Sequence, residues 1–274
     1  MAMLMAVVML CGMLPMMATA AGAKRIKVAG TELIETGYYT VSSGSVGSKQ
    51  DTEPAGGSGY VHWDAANYTL TLYGVTVDGG TTSSGIFANG DYTIKLAEGT
   101  NNTVCSGYTN AITCDAGSVT IEGPGTMNAT GATNGIKAQY SVVIKANVTV
   151  TGNNGCGIVN SPTSFSNNAD PVRIANTATV SVTGSTYGIG IEGTYGASPV
   201  IDSPNVTIKG GTAAFKAFPH GAPKLSNDIG VSAGENESSL GAYDSASYST
   251  YKCVKTSYLP TYTVSFDANG APAP

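Results

Sequence analysis

Ser141-Val-Val-Ile-Lys-Ala-Asn-Val-Thr-Val-Thr-Gly152 decides the fold. It joins two short runs rich in β-branched residues, each alternating inward and outward, and closes on glycine. That is the period-two signature of half-buried strands. Variants of the phrase recur about five times between residues 68 and 218, at roughly two dozen residues per copy. The first run reappears as Tyr92-Thr-Ile-Lys-Leu96, Ser118-Val-Thr-Ile-Glu122, Val172-Arg-Ile174 and Pro199-Val-Ile-Asp202. The second reappears as Val180-Ser-Val182 and Val206-Thr-Ile208, and, like Val148-Thr-Val150, each ends two residues before a glycine.

A third phrase completes each copy: Gly85-Ile86, Ala111-Ile112, Gly135-Ile136, Gly157-Ile158 and Gly188-Ile189. The isoleucine spacings are 26, 24, 22 and 31. The long interval holds an insertion, Ser161-Pro-Thr-Ser-Phe-Ser-Asn-Asn-Ala-Asp170, expected to bulge as a loop. Three short strands per period without a helix pattern specify an all-β chain. The expected fold is a right-handed, single-stranded parallel β-helix of roughly six coils, handed by the general rule for parallel crossovers. The residues following the opener isoleucines run Lys95, Glu122, Lys145, Ala175, Asp202, so opposite charges should lie side by side on successive coils and pin their register.

Composition agrees. Only 11% of the 274 residues are charged, where globular domains carry about 25%. The net charge of −5 and the absence of basic patches give no footprint for nucleic acid. Residues 1–23 read as a secretory signal peptide, apolar and ending in Ala18-Thr-Ala20 and Ala21-Gly-Ala23. The usual Lys/Arg start of such a segment is missing, which points to a start upstream. After cleavage no further membrane insertion is expected. Residues 24–67 are expected to cap the first coil, 68–222 to form the repeats, and 223–260 to form a C-terminal cap and linker, with Ser249–Val254 as a closing strand. Residues 261–274 open a strand and an Asn-Gly turn just before the chain stops, as a truncated module would.

Four cysteines remain after processing. Cys105 aligns with Ala129, Val150, Val182 and Ile208, and Cys114 follows the inward Ile112 by two, so both read as small core residues. An exported chain also permits a Cys105–Cys114 disulfide.

The phrases Tyr68-Thr-Leu-Thr-Leu-Tyr-Gly-Val-Thr-Val77, Gly90-Asp-Tyr-Thr-Ile-Lys-Leu-Ala-Glu-Gly-Thr-Asn101 and Val119-Thr-Ile-Glu-Gly-Pro-Gly-Thr126 carry a resemblance. Over about residues 27–255 the chain resembles secreted β-helix proteins of gut Firmicutes described as carbohydrate-binding-domain proteins. Its tail Tyr262-Thr-Val-Ser-Phe-Asp-Ala-Asn-Gly270 is similar to the opening of an internalin-type B repeat. The resemblance implies an extracellular, non-catalytic, polysaccharide-associated protein of the bacterial surface. The family's calcium sites need acidic clusters that this sequence lacks, so no cofactor is assigned.

Parallel β-helices also carry polysaccharide lyases and hydrolases. A glycosidase needs two carboxylates roughly 5–9.5 Å apart. No Asp-x-Asp or Asp-Asp occurs here, and the repeat-region acids fall at different phases of the coil. Arg173, the only arginine of the repeats, reads as a loop-edge ion pair with Asp170. A Ser/His/Asp triad fails on supply, because the only two histidines are His62 in the N-terminal cap and His220 at the C-terminal end of the repeats. Neither a catalytic site nor a metal site is therefore assigned. A sugar-binding face needs flat aromatics beside amides and hydroxyls. The candidates are Trp63, Tyr108, Tyr140, Tyr187 and Tyr195. The leading expectation is a monomeric polysaccharide or cell-wall-glycan binder. Its alternatives are a structural stalk or adhesin, and a β-helix lyase or hydrolase.

Overall fold

The computed structural model describes residues 25–42, 44–55, 59–162, 170–175, 178–192, 197–218 and 221–259. The expected signal peptide, the core of the insertion after Pro162, Tyr195, His220 and the 261–274 module lie outside the described residues.

The chain is a β-solenoid of about five turns. Each turn contributes one strand to each of three sheets, which comprise eight, ten and nine strands among the described residues. One turn illustrates the plan. Ile112–Asp115 lies in sheet 1, Val119–Glu122 in sheet 2 and Thr126–Gly131 in sheet 3, and Ile136–Ala138 then returns to sheet 1 beside its starting strand. All coil-to-coil pairings from Thr69–Tyr73 through Lys224–Leu225 are parallel.

The repeat phrases become three interior ladders. Sheet 1 stacks Ile86, Ile112, Ile136, Ile158, Ile189 and Phe215. Sheet 2 stacks Leu70, Ile94, Ile121, Ile144, Ile174 and Ile201. Sheet 3 stacks Val77, Val104, Ala129, Val150, Val182 and Ile208. Every one of these side chains is fully buried. The outward position of sheet 3 is occupied by Thr103, Asn128, Thr149, Ser181 and Thr207.

The third ladder corrects one reading of the sequence. Cys105 does not stand among the inward residues: it pairs with Thr130 on the outer face, and Val104 pairs with Ala129 inside. The misleading signal was Gly107. The residue matching Gly131 and Gly152 in that coil is Ser106, so aligning on glycine slid the phrase by one, and a slip of one exchanges the faces. Cys114 is buried as expected. Both cysteines are free, and they sit in different sheets.

The glycine of each Gly-Ile phrase has a steric reason. A Cβ at Gly135 would stand 2.3 Å from Val150 Cγ1, one at Gly157 2.5 Å from Val182 Cγ1, and one at Gly188 2.4 Å from Ile208 Cγ2. Gly85 meets Val104 Cγ1 in the same way, at 2.7 Å. In each case the corner lies against the sheet 3 ladder residue of the following coil. The one coil with alanine in this place, at Ala111, is followed by the one coil whose ladder residue is Ala129. A methyl group removed from the ladder relieves that side-chain contact, while backbone also limits the corner: a Cβ at Gly135 would stand 2.7 Å from Gly157 O.

Antiparallel strands cover the edges of sheets 1 and 2 at the N-terminal end and of sheet 3 at the C-terminal end, edges that an open solenoid would expose. At the N-terminal end Arg25–Val28 pairs antiparallel with Ile86–Asn89, while Gly37–Ser42, Ser45–Gln50 and Tyr60–Asp64 extend sheet 2 beyond Thr69–Tyr73. At the C-terminal end Cys253–Tyr258 runs antiparallel to Asn205–Gly210 and is itself covered by Ile229–Gly234. Phe215, Phe218 and Tyr248 plug that end, with the last two stacked at 5.6 Å, and Tyr248 Oη accepts the Phe218 N–H at 2.6 Å.

The glycine–valine complementarity is testable by a double-mutant cycle followed by urea unfolding. Gly135→Ala should lose about 1–3 kcal/mol by overpacking. Val150→Ala should lose about 2 kcal/mol. The double variant should be more stable than the sum predicts by at least ~0.5 kcal/mol. Strict additivity would mean that the corner does not rest on the ladder.

Candidate functional site

The five sequence-selected aromatics do not share a face. Trp63 lies in Tyr60–Asp64, where alternation turns it inward with Val61; it is 3% exposed and belongs to the core. Its ring centroid stands 6.3 Å from that of Tyr68, so it fills the floor of the solenoid. Tyr108 is 63% exposed in the corner between sheets 3 and 1. Tyr187 opens the strand Tyr187–Ile191 at the same corner, but three coils farther on, about 14 Å at the ordinary interstrand spacing. Tyr140 is half-buried at a different corner, between sheets 1 and 2. There Asn160, fully buried, donates from Nδ2 to the Tyr140 carbonyl at 2.7 Å. Tyr195 lies outside the described residues.

Other aromatics do meet. On the outer face of sheet 2, Tyr60 stacks on Tyr73 at 4.4 Å, and Tyr38 packs against Tyr60 at 5.9 Å and His62 at 4.5 Å. The Tyr60 hydroxyl donates to Glu53, and Tyr60 is 8% exposed. Burial, then the Glu53 carboxylate, push its hydroxyl pKa up. These rings cover one another, so the cluster fastens the cap. At the far end of the same sheet, Arg173 donates to Asp170 at 2.9 Å and to Asp202 at 2.6 Å beside a 560 Å³ hollow bordered by Tyr258. The expected Arg173–Asp170 pair is present, and Asp202 from the next coil joins it. Glu122 reaches Lys145 at 3.8 Å, with Lys95 its register partner on the other side.

A recess able to hold a small polar molecule lies on the outer face of sheet 1. It has a volume of about 440 Å³. Its floor is one outward row, Lys27, Phe87, Thr113 and Lys137, contributed by four adjacent strands. The corner residues Ser83, Ser84, Thr109 and Asn110 form one wall, and Asp115 stands on the opposite side. Phe87 is half-buried, so part of its ring remains open to a ligand.

The polar wall is fixed before anything binds. Asn134 Nδ2 donates to Asn110 Oδ1 at 2.9 Å, and Asn110 Nδ2 donates to Thr113 Oγ1 at 3.0 Å. Thr113 Oγ1 and Ser84 Oγ share a hydrogen bond of 2.7 Å. Asn134 is held in turn by the Cys156 N–H, which donates to its Oδ1 at 2.8 Å. Ser84, Asn110 and Thr113 are all at least 93% buried, so their geometry is rigid. The two hydroxyls have two hydrogens between them and use one on each other; the second is available to a ligand. Hydrogen bonds in series polarise one another, which strengthens that last donor. A ring face, a preset hydroxyl and a carboxylate around one hollow can hold a polyhydroxylated ring without chemistry.

No protein-family model matches the chain, and no curated protein or solved structure is significantly similar to it. Among the described residues no group of three His, Cys, Asp or Glu side chains is placed to share a metal ion, and no helix is long and apolar enough to cross a membrane.

The cysteines give a check on this placement. Burial pushes the Cys114 thiol up to about 12 and, with Asp78 adding to the effect, the Cys105 thiol up to about 11. At about pH 8 both are almost wholly protonated, and the thiolate is the reactive form. Iodoacetamide should therefore label half-exposed Cys105 slowly in the native protein and Cys114 only after unfolding, read by peptide mass spectrometry. Rapid native labelling of Cys114 would contradict its burial beside the recess.

Proposed function

We propose that this protein is an exported, non-catalytic polysaccharide-binding protein of the bacterial surface, and that the sheet 1 recess receives the sugar. The observation that carries this reading is the combination in one hollow of the Phe87 ring, the fixed Asn110–Thr113–Ser84 network and the Asp115 carboxylate. Sugars offer an apolar C–H face to an aromatic ring and hydroxyls to amides, hydroxyls and carboxylates. Export is supported by the sequence of residues 1–23, and a surface role by the resemblance to secreted β-helix proteins. The solenoid holds the recess on paired strands, which keeps it in shape without a ligand.

A second reading, a structural stalk or adhesin that displays other modules, is favoured by one observation. The central outward row of sheet 3 is uniformly threonine, serine and asparagine over five coils, and carries neither a ring nor a charge. The two readings separate at Phe87. The full chain is passed over insoluble polysaccharides and a glycan array, with calcium and with chelator, beside Phe87→Ala. Polysaccharide binding predicts retention on one class, without release of shorter sugars, and at least about tenfold weaker binding by the variant, ~1.4 kcal/mol. Retention unchanged by Phe87→Ala moves the site elsewhere. Absence of retention on every glycan leaves the stalk. Release of shorter sugars would restore the enzyme alternative.

A further inference from the structure

We infer that the sheet 1 recess selects an acidic saccharide, one bearing carboxylate or sulfate groups, through Lys27 and Lys137. This rests on the reading of the recess as a sugar site and adds the charge of its ligand. The two lysines stand at the ends of the floor row, with Phe87 and Thr113 between them. Three strand spacings separate them, about 14 Å along the row, enough to flank more than one sugar ring. Both are half-buried and border the same hollow.

Neither lysine is engaged in an ion pair among the described residues. Glu32 is the direct register partner of Lys27, yet its carboxylate is bound by Arg25 Nε at 3.6 Å. Asp115 stands one step along the strand from Cys114, outside the lysine row, and forms no ion pair with Lys137. Lys145, Lys209 and Lys252 pair with Glu122, Glu237 and Glu235, whereas Lys95, Lys216, Lys224 and Lys255 form no ion pair among the described residues; what sets Lys27 and Lys137 apart is that both border one hollow. An ammonium is a compact point charge with three donors, suited to an anionic oxygen of variable position. Two such groups facing one hollow leave a local excess of positive charge over Asp115. The chain as a whole carries −5, so its general field repels a polyanion. Preference for an acidic sugar must therefore come from these two residues, and that makes it separable by mutation.

The test is affinity electrophoresis and titration calorimetry on the full chain with four probes: polygalacturonate, its fully methyl-esterified form, dextran sulfate and uncharged dextran. The expected result is binding to polygalacturonate or dextran sulfate that falls at least tenfold between about 0.05 and 0.5 M NaCl. Lys27→Gln/Lys137→Gln should lower that affinity by about tenfold or more, and Lys224→Gln/Lys255→Gln, which removes the same charge from exposed sites elsewhere, should not. Response to polygalacturonate alone assigns a carboxylated ligand, and response to dextran sulfate alone a sulfated one. Equal binding of the esterified and free polymers, or an equal loss in both double variants, overturns this inference while leaving a neutral-sugar site intact. Failure of all four probes together with failure of the glycan array removes the sugar reading itself. Melting temperatures of the variants within about 2 °C of the parent exclude unfolding as the cause.

Discussion

Parallel register between successive coils is the constraint on which the other features rest. Each strand must pair with the strand one turn earlier and one turn later, so each side chain meets the same position of its neighbouring coils at about 4.8 Å. That repetition turns a weak preference for β-branched residues into three continuous ladders. It also imposes a limit on the corner between sheets 3 and 1, where the chain crosses the ladder of the next coil at van der Waals distance. Gly135 over Val150, Gly157 over Val182 and Gly188 over Ile208 satisfy the limit one way. Ala111, followed by Ala129 in the next coil, satisfies it the other way. The corner residue and the ladder residue share one volume, and a close-packed interior does not let both be large.

The same register builds the recess. A row of outward side chains drawn from four consecutive strands has fixed spacing and a common direction, so Lys27, Phe87, Thr113 and Lys137 form a strip. The adjoining corners contribute Ser84, Asn110 and Asn134, linked from coil to coil by side-chain hydrogen bonds. Recognition surfaces on a solenoid come from this geometry: the ladders set the spacing, and single departures from threonine or serine on the outer face supply the chemistry. Sheet 3 shows the opposite case, with a central outward row of threonine, serine and asparagine alone.

The ends of the solenoid solve a different problem. A parallel coil leaves unpaired backbone groups and a bare apolar cross-section at each terminus. Here antiparallel strands take up the backbone groups of sheets 1 and 2 at one end and of sheet 3 at the other, and large aromatics cover the cross-section: Trp63 at one end, and Phe215, Phe218 and Tyr248 at the other. The coil interior is built largely of aliphatic residues, with Tyr92 buried among them, and larger rings cover each terminus.

The sequence by itself determined the architecture, because the architecture is periodic. Alternation in Val148-Thr-Val150 and its copies, with the Gly-Ile phrase, was sufficient to give three sheets, the inward residues of nearly every coil and the paired charges of Glu122 and Lys145. Arg173 with Asp170 was also legible, since the two are neighbours in sequence. Its failure at Cys105 was local: Gly107 imitated the glycine that closes the other copies, and only pairing with Thr130 fixed the face. The recess was decided by tertiary structure alone. Lys27 comes from the cap and reaches Phe87 through an antiparallel pairing that no repeat announces, and Lys137 stands 110 residues away in the chain. Trp63 was equally unreadable, because the strand that turns it inward lies outside the repeat. Periodic contacts are written in the sequence once per coil, whereas contacts between a cap and the coils occur once and leave no pattern.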